Sequence, residues 1–348
     1  MNNLTNLQKQ ISDTQQLIIS DPYNINYLIN TFQSTGERFY CLLLDNKQKP
    51  KLFLNNLFPL ELNPNYDIIR FDDTDDIIKL LSLHLNKPNI GVDHQLCSGF
   101  LLRLMDNYPA HYFDCSVTIN HLRSIKNNEE QQKMIESSKV NDLIMEKVQQ
   151  YIKIGISELD IYNFIKETQK ELGVKPSFDP IVVSGSNCAD PHGQATDKLI
   201  QQNESIIIDM GVIKDNYCSD MTRTFFINNN LLKEVYDIVK DANNKAEAII
   251  KPGIKFSDID KTARDYITSK GYGEYFNHRL GHGIGMQVHE PFDVSSSNDL
   301  IVEEGMCFSI EPGIYLPNIG GIRIEDLVLV TKDGCKVLNQ YPKDQEVM

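Results

Sequence analysis

The sequence has no Cys-x-x-Cys pair, no long apolar run and a shortage of basic residues. Lys and Arg number 34 against 48 acidic residues, a formal net charge of −14. That deficit argues against a nucleic-acid binder, which needs clustered Lys and Arg for the phosphates. It argues equally against an anionic membrane surface. The seven cysteines, Cys41, Cys97, Cys115, Cys188, Cys218, Cys307 and Cys335, are odd in number and widely spaced. This excludes a disulfide framework or zinc knuckle and fits a reducing compartment. The N-terminal stretch MNNLTNLQKQISDTQQ has no apolar core of the kind a signal peptide needs. No stretch approaches the roughly 20 apolar residues that span a bilayer. A cytoplasmic protein is expected, with neither membrane nor nucleic acid as partner.

What is present is an ordinary globular composition, 41% hydrophobic and 24% charged over 348 residues. The length suggests two domains, and we expect them at 1–118 and 119–348. In the first, Phe39–Leu44 and Asn89–Val92 read as buried strands. Thr74–Leu85 reads as a helix with acids in its first turn, so a small α/β domain is expected. Its histidines, His84, His94 and His111, follow no ligand-like spacing and read as structural or surface residues. A composition shift near Leu122–Asn128 precedes a long helical pattern from Glu129 to Tyr151.

The second part carries a weak internal repeat. Ile152-Lys153-x-Gly155-Ile156 with Asp160-Ile161 recurs ninety-eight residues later as Ile250-Lys251-x-Gly253-Ile254 with Asp258-Ile259. Each copy is preceded by one helical stretch and followed by another, opened by Ser157 or Ser257 and closed by Gly173 or Gly271. Strand-like runs then follow. The repeat predicts a pseudo-twofold α+β domain.

The chemistry-bearing residues fall in those runs. Asp209 interrupts the apolar strand Ser205–Gly211, and Asp220 lies in Asn216–Ile227. A two-residue Lys214-Asp215 loop would set Asp209 directly opposite Asp220. Two carboxylates so placed repel unless a proton or cation intervenes. The Gly-rich stretch Asn277–Glu290 holds His278, His282 and His289, and its glycines break any helix, so it is not an HExxH site. Glu311 ends the apolar strand Met306–Glu311, and Glu325 lies inside Gly321–Val330 on the same face as Arg323. Asp209, Asp220, His282, Glu311 and Glu325 together form an oxygen-rich set with one imidazole. Two divalent cations neutralise it, with Mn, Co, Fe or Zn suited to the donors. Such a pair lowers the pKa of a shared water towards neutrality.

This constellation resembles the pita-bread metallopeptidase family (M24), which includes methionine aminopeptidase, aminopeptidase P, prolidase and creatinase. The motifs that carry the resemblance are PHG at Pro191–Gly193, D-x-G at Asp209 and SDMTRT at Ser219–Thr224. They continue with GHGIG at Gly281–Gly285, HEP at His289–Pro291, EPGIY at Glu311–Tyr315 and RIED at Arg323–Asp326. The N-terminal part looks like the creatinase/prolidase type. The resemblance implies a C-terminal pita-bread fold behind an N-terminal α/β domain. It implies two divalent ions, manganese foremost, with cobalt, zinc or iron as alternatives. Asp209 and Asp220 would hold one ion and His282 and Glu311 the other, with Asp220 and Glu325 bridging. A metal-bridging hydroxide would be the nucleophile, Glu311 the proton shuttle, and His289 the partner of the oxyanion. His192 would line the site opposite, His278 the leaving side, and Arg323 with Tyr315 would brace the metal ligands from behind, all three of His278, Arg323 and Tyr315 lying at the substrate side. His192 mirrors His289 across the repeat, as Asp209 and Asp220 mirror Glu311 and Glu325.

The implied substrate is a peptide with proline at its second position, cleaved by a homodimer. Prolidases read a dipeptide carboxylate through an arginine soon after HEP. Here Phe-Asp-Val-Ser-Ser-Ser follows Pro291, and no arginine occurs between Arg279 and Arg323. The expectation is therefore Xaa-Pro aminopeptidase activity, with prolidase as the alternative and methionine aminopeptidase behind it. Creatinase, which lacks the metal set, is set aside. A non-enzymatic binding module of the same fold would have lost ligands, and none is missing here.

Overall fold

The computed structural model describes residues 3–228 and 231–344. By its contacts the chain divides into two compact units, Met1–Arg123 and Ser124–Met348.

The first unit is one mixed sheet with helices on both faces. Its strands are β1 (Gln15–Ile19), β2 (Tyr40–Leu44), β3 (Lys51–Asn55), β4 (Asp67–Phe71), β5 (Asn89–Val92) and β6 (His111–Asp114), in the order β4-β3-β2-β1-β5-β6. Successive residues of the central strands alternate between two cores. Leu42, Leu44, Leu52 and Leu54 face one, with α1 (Asn3–Gln8), α2 (Pro22–Ile29) and α5 (Ser116–Ser124). Cys41, Leu43 and Phe53 face the other, with α3 (Ile77–Ser82) and α4 (Ser98–Asn107). Burial on both faces is why these strands read as unbroken apolar runs rather than alternating ones. Ile119 of α5 is fully buried in the first core, so the first unit runs past residue 118.

The helix expected over Thr74–Leu85 is shorter. Its acids form the approach: Asp72 and Asp75 close a turn, and Asp76 caps the helix by accepting the Lys79 N–H. Asp competes for local backbone donors and so favours caps over helix interiors. The three histidines serve local contacts. His84 packs edge-on to Phe53, His94 pairs with Asp114 at 2.9 Å, and His111 stacks on Phe113.

The second unit has two similar halves. In the first, α6 (Asn128–Tyr151) and α7 (Glu158–Glu171) cover a sheet of β8 (Ile181–Ser184), β9 (Ser205–Met210) and β12 (Met221–Phe226), preceded or interrupted by short β7 (Lys175–Pro176), β10 (Val212–Lys214) and β11 (Tyr217–Cys218). In the second, α8 (Lys233–Ile249) and α9 (Phe256–Ser269) cover β13 (Gly281–Gly283), β14 (Glu290–Val294), β15 (Cys307–Ile310), β18 (Asp326–Val330) and β19 (Cys335–Val337). A ribbon of β16 (Gly313–Leu316) and β17 (Gly320–Arg323) completes it.

The repeat read from sequence corresponds to matching backbone contacts. Gly155 N–H donates to Ile200 and Gly253 N–H to Val302, while Ile200 N–H donates to Ile156 and Val302 N–H to Ile254. Both glycines have positive φ, +88° and +95°, which only glycine adopts readily. Gly173 and Gly271, also at positive φ, follow the ends of α7 and α9. The serines differ. Ser157 caps α7 in a reciprocal capping box with Asp160. Ser257 lies inside α9, whose cap position is Lys255, and its hydroxyl goes to Asp299 at 2.8 Å instead. Ser157→Ala is therefore expected to cost about 1 kcal/mol in urea unfolding. Ser257→Ala should cost a few tenths at most, and equal losses would contradict these caps.

Candidate metal centre

The hairpin that carries the first two acids turns at Asp215-Asn216, both with positive φ (50° and 66°). Two consecutive left-handed residues make a type I′ hairpin turn, which Asp and Asn tolerate and Lys does not. The expected Lys214-Asp215 loop is thus moved by one residue. The pairing shifts with it, so that Asp209 faces Thr222 rather than Asp220. Asp220 lies in the break between β11 and β12, two positions from Thr222. The period of two keeps it on the Asp209 side of the sheet.

The second half supplies the remaining donors. His282 sits at the centre of β13, Glu311 just after β15, and Glu325 in the break between β17 and β18. A Cβ on Gly281 would overlap the Ser309 carbonyl, so glycine there lets β13 press against β15.

These five side chains converge. His282 Nε2 lies 3.6 Å from Asp220 Oδ2 and 3.5 Å from Glu311 Oε1. Donor atoms of Asp220, His282 and Glu325 lie within 4.8 Å of one another. Asp209, Asp220, His282 and Glu325 are all buried. Oδ1 of Asp209, Oδ1 of Asp220 and Oε1 of Glu325 are buried without a hydrogen-bond partner. Three orphaned carboxylate oxygens at one point are costly, and a bound cation relieves all three. The His282 ring is prepared for the same purpose. Its Nδ1 lies 3.1 Å from the Gly283 carbonyl, which can only accept, so Nδ1 carries the hydrogen and Nε2 presents its lone pair. Burial, reinforced by His289, pushes the ring down to about 3 and keeps it neutral.

The carboxyls shift the other way. Burial, then the neighbouring acids, raises Asp220 and Glu325 well above the usual carboxylate range. Glu311 is pushed up to about 7, mainly by burial, with Arg323 opposing.

Residues not foreseen in the sequence hold the donors in place. Thr222 donates its hydroxyl to Glu325 Oε2 at 2.8 Å and accepts from Arg323 Nε at 3.1 Å. Ser309 accepts the His282 N–H at 3.0 Å and donates to Glu311 at 3.2 Å. Buried Asn141 on α6 donates to the Met210 carbonyl, beside Asp209, and buried Asn243 on α8 donates to Ile310, beside Glu311. The alternation Asp220, Thr222, Thr224 in SDMTRT was a visible signal for Thr222. The two asparagines carried none, because each acts on a strand about 70 residues away in sequence.

A cavity of about 400 Å³ opens on the centre. Its lining includes every expected site residue: His192, Asp209, Asp220, His278, His282, His289, Glu311, Tyr315, Arg323 and Glu325. Phe178, Ile181 and Val288 add apolar wall, and Arg279 adds a cation. Among the described residues the Arg279 side chain makes no hydrogen bond or ion pair, and it is exposed. His278, Tyr315 and Arg323 line the cavity and also stand behind the donors. Arg323 is buried and donates to Asp209 Oδ2 (2.9 Å), Pro191 O (3.2 Å) and Tyr315 Oη (3.1 Å). The Tyr315 hydroxyl meets His278 Nε2 at 2.9 Å, and His278 Nδ1 donates to the Arg279 carbonyl at 2.7 Å. Both His278 nitrogens are thereby engaged, so this ring is not free to protonate a leaving proline. The three residues form one relay that orients Asp209.

The chain matches the model of metallopeptidase family M24 over residues 132–332 and that of the creatinase/prolidase N-terminal domain over residues 4–125. A Staphylococcus aureus protein described as an uncharacterized peptidase is 40% identical over 338 residues, covering 93% of this chain and 94% of its own. An Xaa-Pro dipeptidase from Bacillus anthracis superposes with a TM-score of 0.88 at 29% identity, covering 99% of this chain and 98% of its own. An X-Pro aminopeptidase from Thermotoga maritima superposes with a TM-score of 0.85 at 28% identity, covering 98% and 100%.

The raised carboxyl pKa values give a signed expectation. An acid whose folded pKa exceeds its unfolded value stabilises the fold when protonated, and that contribution is lost as pH rises through the folded value. The metal-free protein should lose stability at this site as pH rises from about 4.5 towards about 7, the span of Glu311, and a cation should offset the loss. The rise in melting temperature on adding Mn²⁺ over EDTA should therefore be larger at the higher pH. A rise independent of pH would count against a cation balancing these acids.

Proposed function

This chain belongs to metallopeptidase family M24, and from that premise we propose that it cleaves the N-terminal Xaa-Pro bond of peptides with two divalent ions, manganese foremost. The observation that carries this reading is the convergence of four carboxylates and one neutral imidazole, three of their oxygens orphaned, at the base of a cavity with an apolar wall. Asp209 and Asp220 would hold one ion and His282 and Glu311 the other, with Asp220 and Glu325 shared. When bound, the ions supply an activated water and polarise the scissile carbonyl.

The protein's own groups account for the rest. Phe178, Ile181 and Val288 offer an apolar surface to a proline ring. A proline nitrogen carries no hydrogen and leaves only if protonated. Glu311, whose carboxyl is pushed up to about 7, takes a proton from water and delivers it to the departing amine. Its Oε1 accepts the Ser309 hydroxyl, so the proton travels on Oε2. His289 is held neutral, its pKa lowered mainly by partial burial. It packs edge-on to His282 with ring centroids 4.3 Å apart and presents an N–H towards the developing oxyanion. His192 lines the opposite side. Arg323 and Tyr315 act through Asp209. A cytoplasmic homodimer belongs to the same reading.

Peptides longer than two residues are favoured, because no arginine comes between the His289-Glu290-Pro291 motif and Arg323. A dipeptidase reading is favoured by one observation, the uncommitted Arg279 at the cavity, which suits a free carboxylate. Comparing Ala-Pro with Ala-Pro-Ala under Mn²⁺, Co²⁺ and Zn²⁺ separates them. We expect cleavage of the tripeptide with Mn²⁺, and cleavage of the dipeptide alone would select the second reading. Glu311→Gln should lower kcat by roughly 10²–10⁴-fold, the range for a positioned general acid–base. Retention of activity in that variant, or cleavage of Ala-Ala-Ala as fast as Ala-Pro-Ala, would overturn the assignment.

A further inference from the structure

The segment Asn339–Asp344 lines no part of the cavity, yet it touches the backbone beside three of the five donors. Asn339 is buried. Its Nδ2 donates to the Asp220 carbonyl at 3.1 Å, and its Oδ1 accepts the Leu327 N–H at 2.6 Å, two residues beyond Glu325. Lys343 places its ammonium 2.8 Å from Asp326 and 2.7 Å from Glu247, and donates to Asn243 Oδ1 at 2.7 Å. Asn243 passes the contact on, donating to the carbonyl of Ile310, next to Glu311, at 2.8 Å. Buried Arg223 ties the same segment to the same strand. It donates to the Tyr341 and Pro342 carbonyls at 2.7 and 3.0 Å, and to the Glu325 carbonyl and Asp326 at 2.6 and 2.8 Å.

Asp220, Glu311 and Glu325 come from different strands and repel one another. Their spacing is thus not set by their own contacts. One short segment meets all three neighbourhoods through directional hydrogen bonds to main-chain or main-chain-bound groups. Tyr341, in contrast, fastens the segment elsewhere, donating its hydroxyl to Gln149 on α6 at 2.6 Å and packing on Phe225.

We propose that Asn339 and Lys343 are positioning residues that fix the separation of Asp220, Glu311 and Glu325, so that the C-terminal segment determines affinity for divalent cations. This rests on the metal reading given above. Outer groups that orient metal ligands typically change metal affinity by about 10–100-fold when removed.

Mn²⁺ binding to the full-length protein is titrated by calorimetry, and the unfolding temperature is measured in EDTA. Asn339→Ala and Lys343→Met are expected to bind Mn²⁺ about 10–100-fold more weakly than the parent. Lys343→Arg, which keeps the charge, should recover most of the affinity. Tyr341→Phe should lower the unfolding temperature with Mn²⁺ affinity unchanged, because it loosens the segment away from the donors. Should Lys343→Met fail to fold, Asn339→Ala and the milder Asn339→Ser carry the comparison. Parent-like Mn²⁺ affinity in the Asn339 variants overturns the positioning role. A parent that binds no Mn²⁺, Co²⁺ or Zn²⁺ overturns the metal reading instead.

Discussion

Mutual repulsion among Asp209, Asp220, Glu311 and Glu325 is the constraint on which the catalytic unit is built. Two like charges about 4 Å apart repel by about 4 kcal/mol at an effective dielectric near 20. Several such pairs rival the whole net stability of a folded domain, roughly 5–15 kcal/mol. The protein offsets part of this with the Arg323 guanidinium on Asp209 and the Thr222 and Ser309 hydroxyls on Glu325 and Glu311. Orphaned oxygens remain on Asp209, Asp220 and Glu325. A site left so unbalanced is arranged for something it receives, and divalent cations match its charge and its donor types.

The duplicated architecture explains how such a cluster is assembled without a local motif. Each half packs two helices over strands whose ends bring acids to the same region. The half-sites are tied down alike, with Asn141 and Asn243 each reaching from a helix to the backbone beside an acid. Strands with continuous hydrogen-bond ladders hold their ends more rigidly than loops would, which suits a site in which small displacements matter. The relay from His278 through Tyr315 and Arg323 to Asp209 links the cavity wall to the donor set. Cavity wall and donor set are thereby joined through one buried guanidinium.

The recognition side of the cavity is simpler. Apolar wall and, among the described residues, one cation without a hydrogen bond or ion pair, Arg279, surround an acid-rich base.

Much of the site was legible in the sequence, because acids inside apolar strands and histidines among glycines are conspicuous where packing alone would not choose them. The repeat was legible through Gly155 and Gly253, whose left-handed backbone excludes other residues. The one-residue error at the hairpin shows the limit. The loop residues were visible, but the preference of Asp215-Asn216 for two left-handed conformations decides the register, and with it which side chain Asp209 faces. Local chemistry along the chain therefore determined which residues gather at the centre and near which strands they lie. Tertiary structure alone decided that His278 closes on Tyr315, that the Arg279 side chain makes no hydrogen bond or ion pair among the described residues, and that Asn339 and Lys343 reach the backbone and side chains beside the donors. Such contacts join positions up to more than a hundred residues apart, and no periodicity or spacing in one dimension records a hydrogen bond made across a fold.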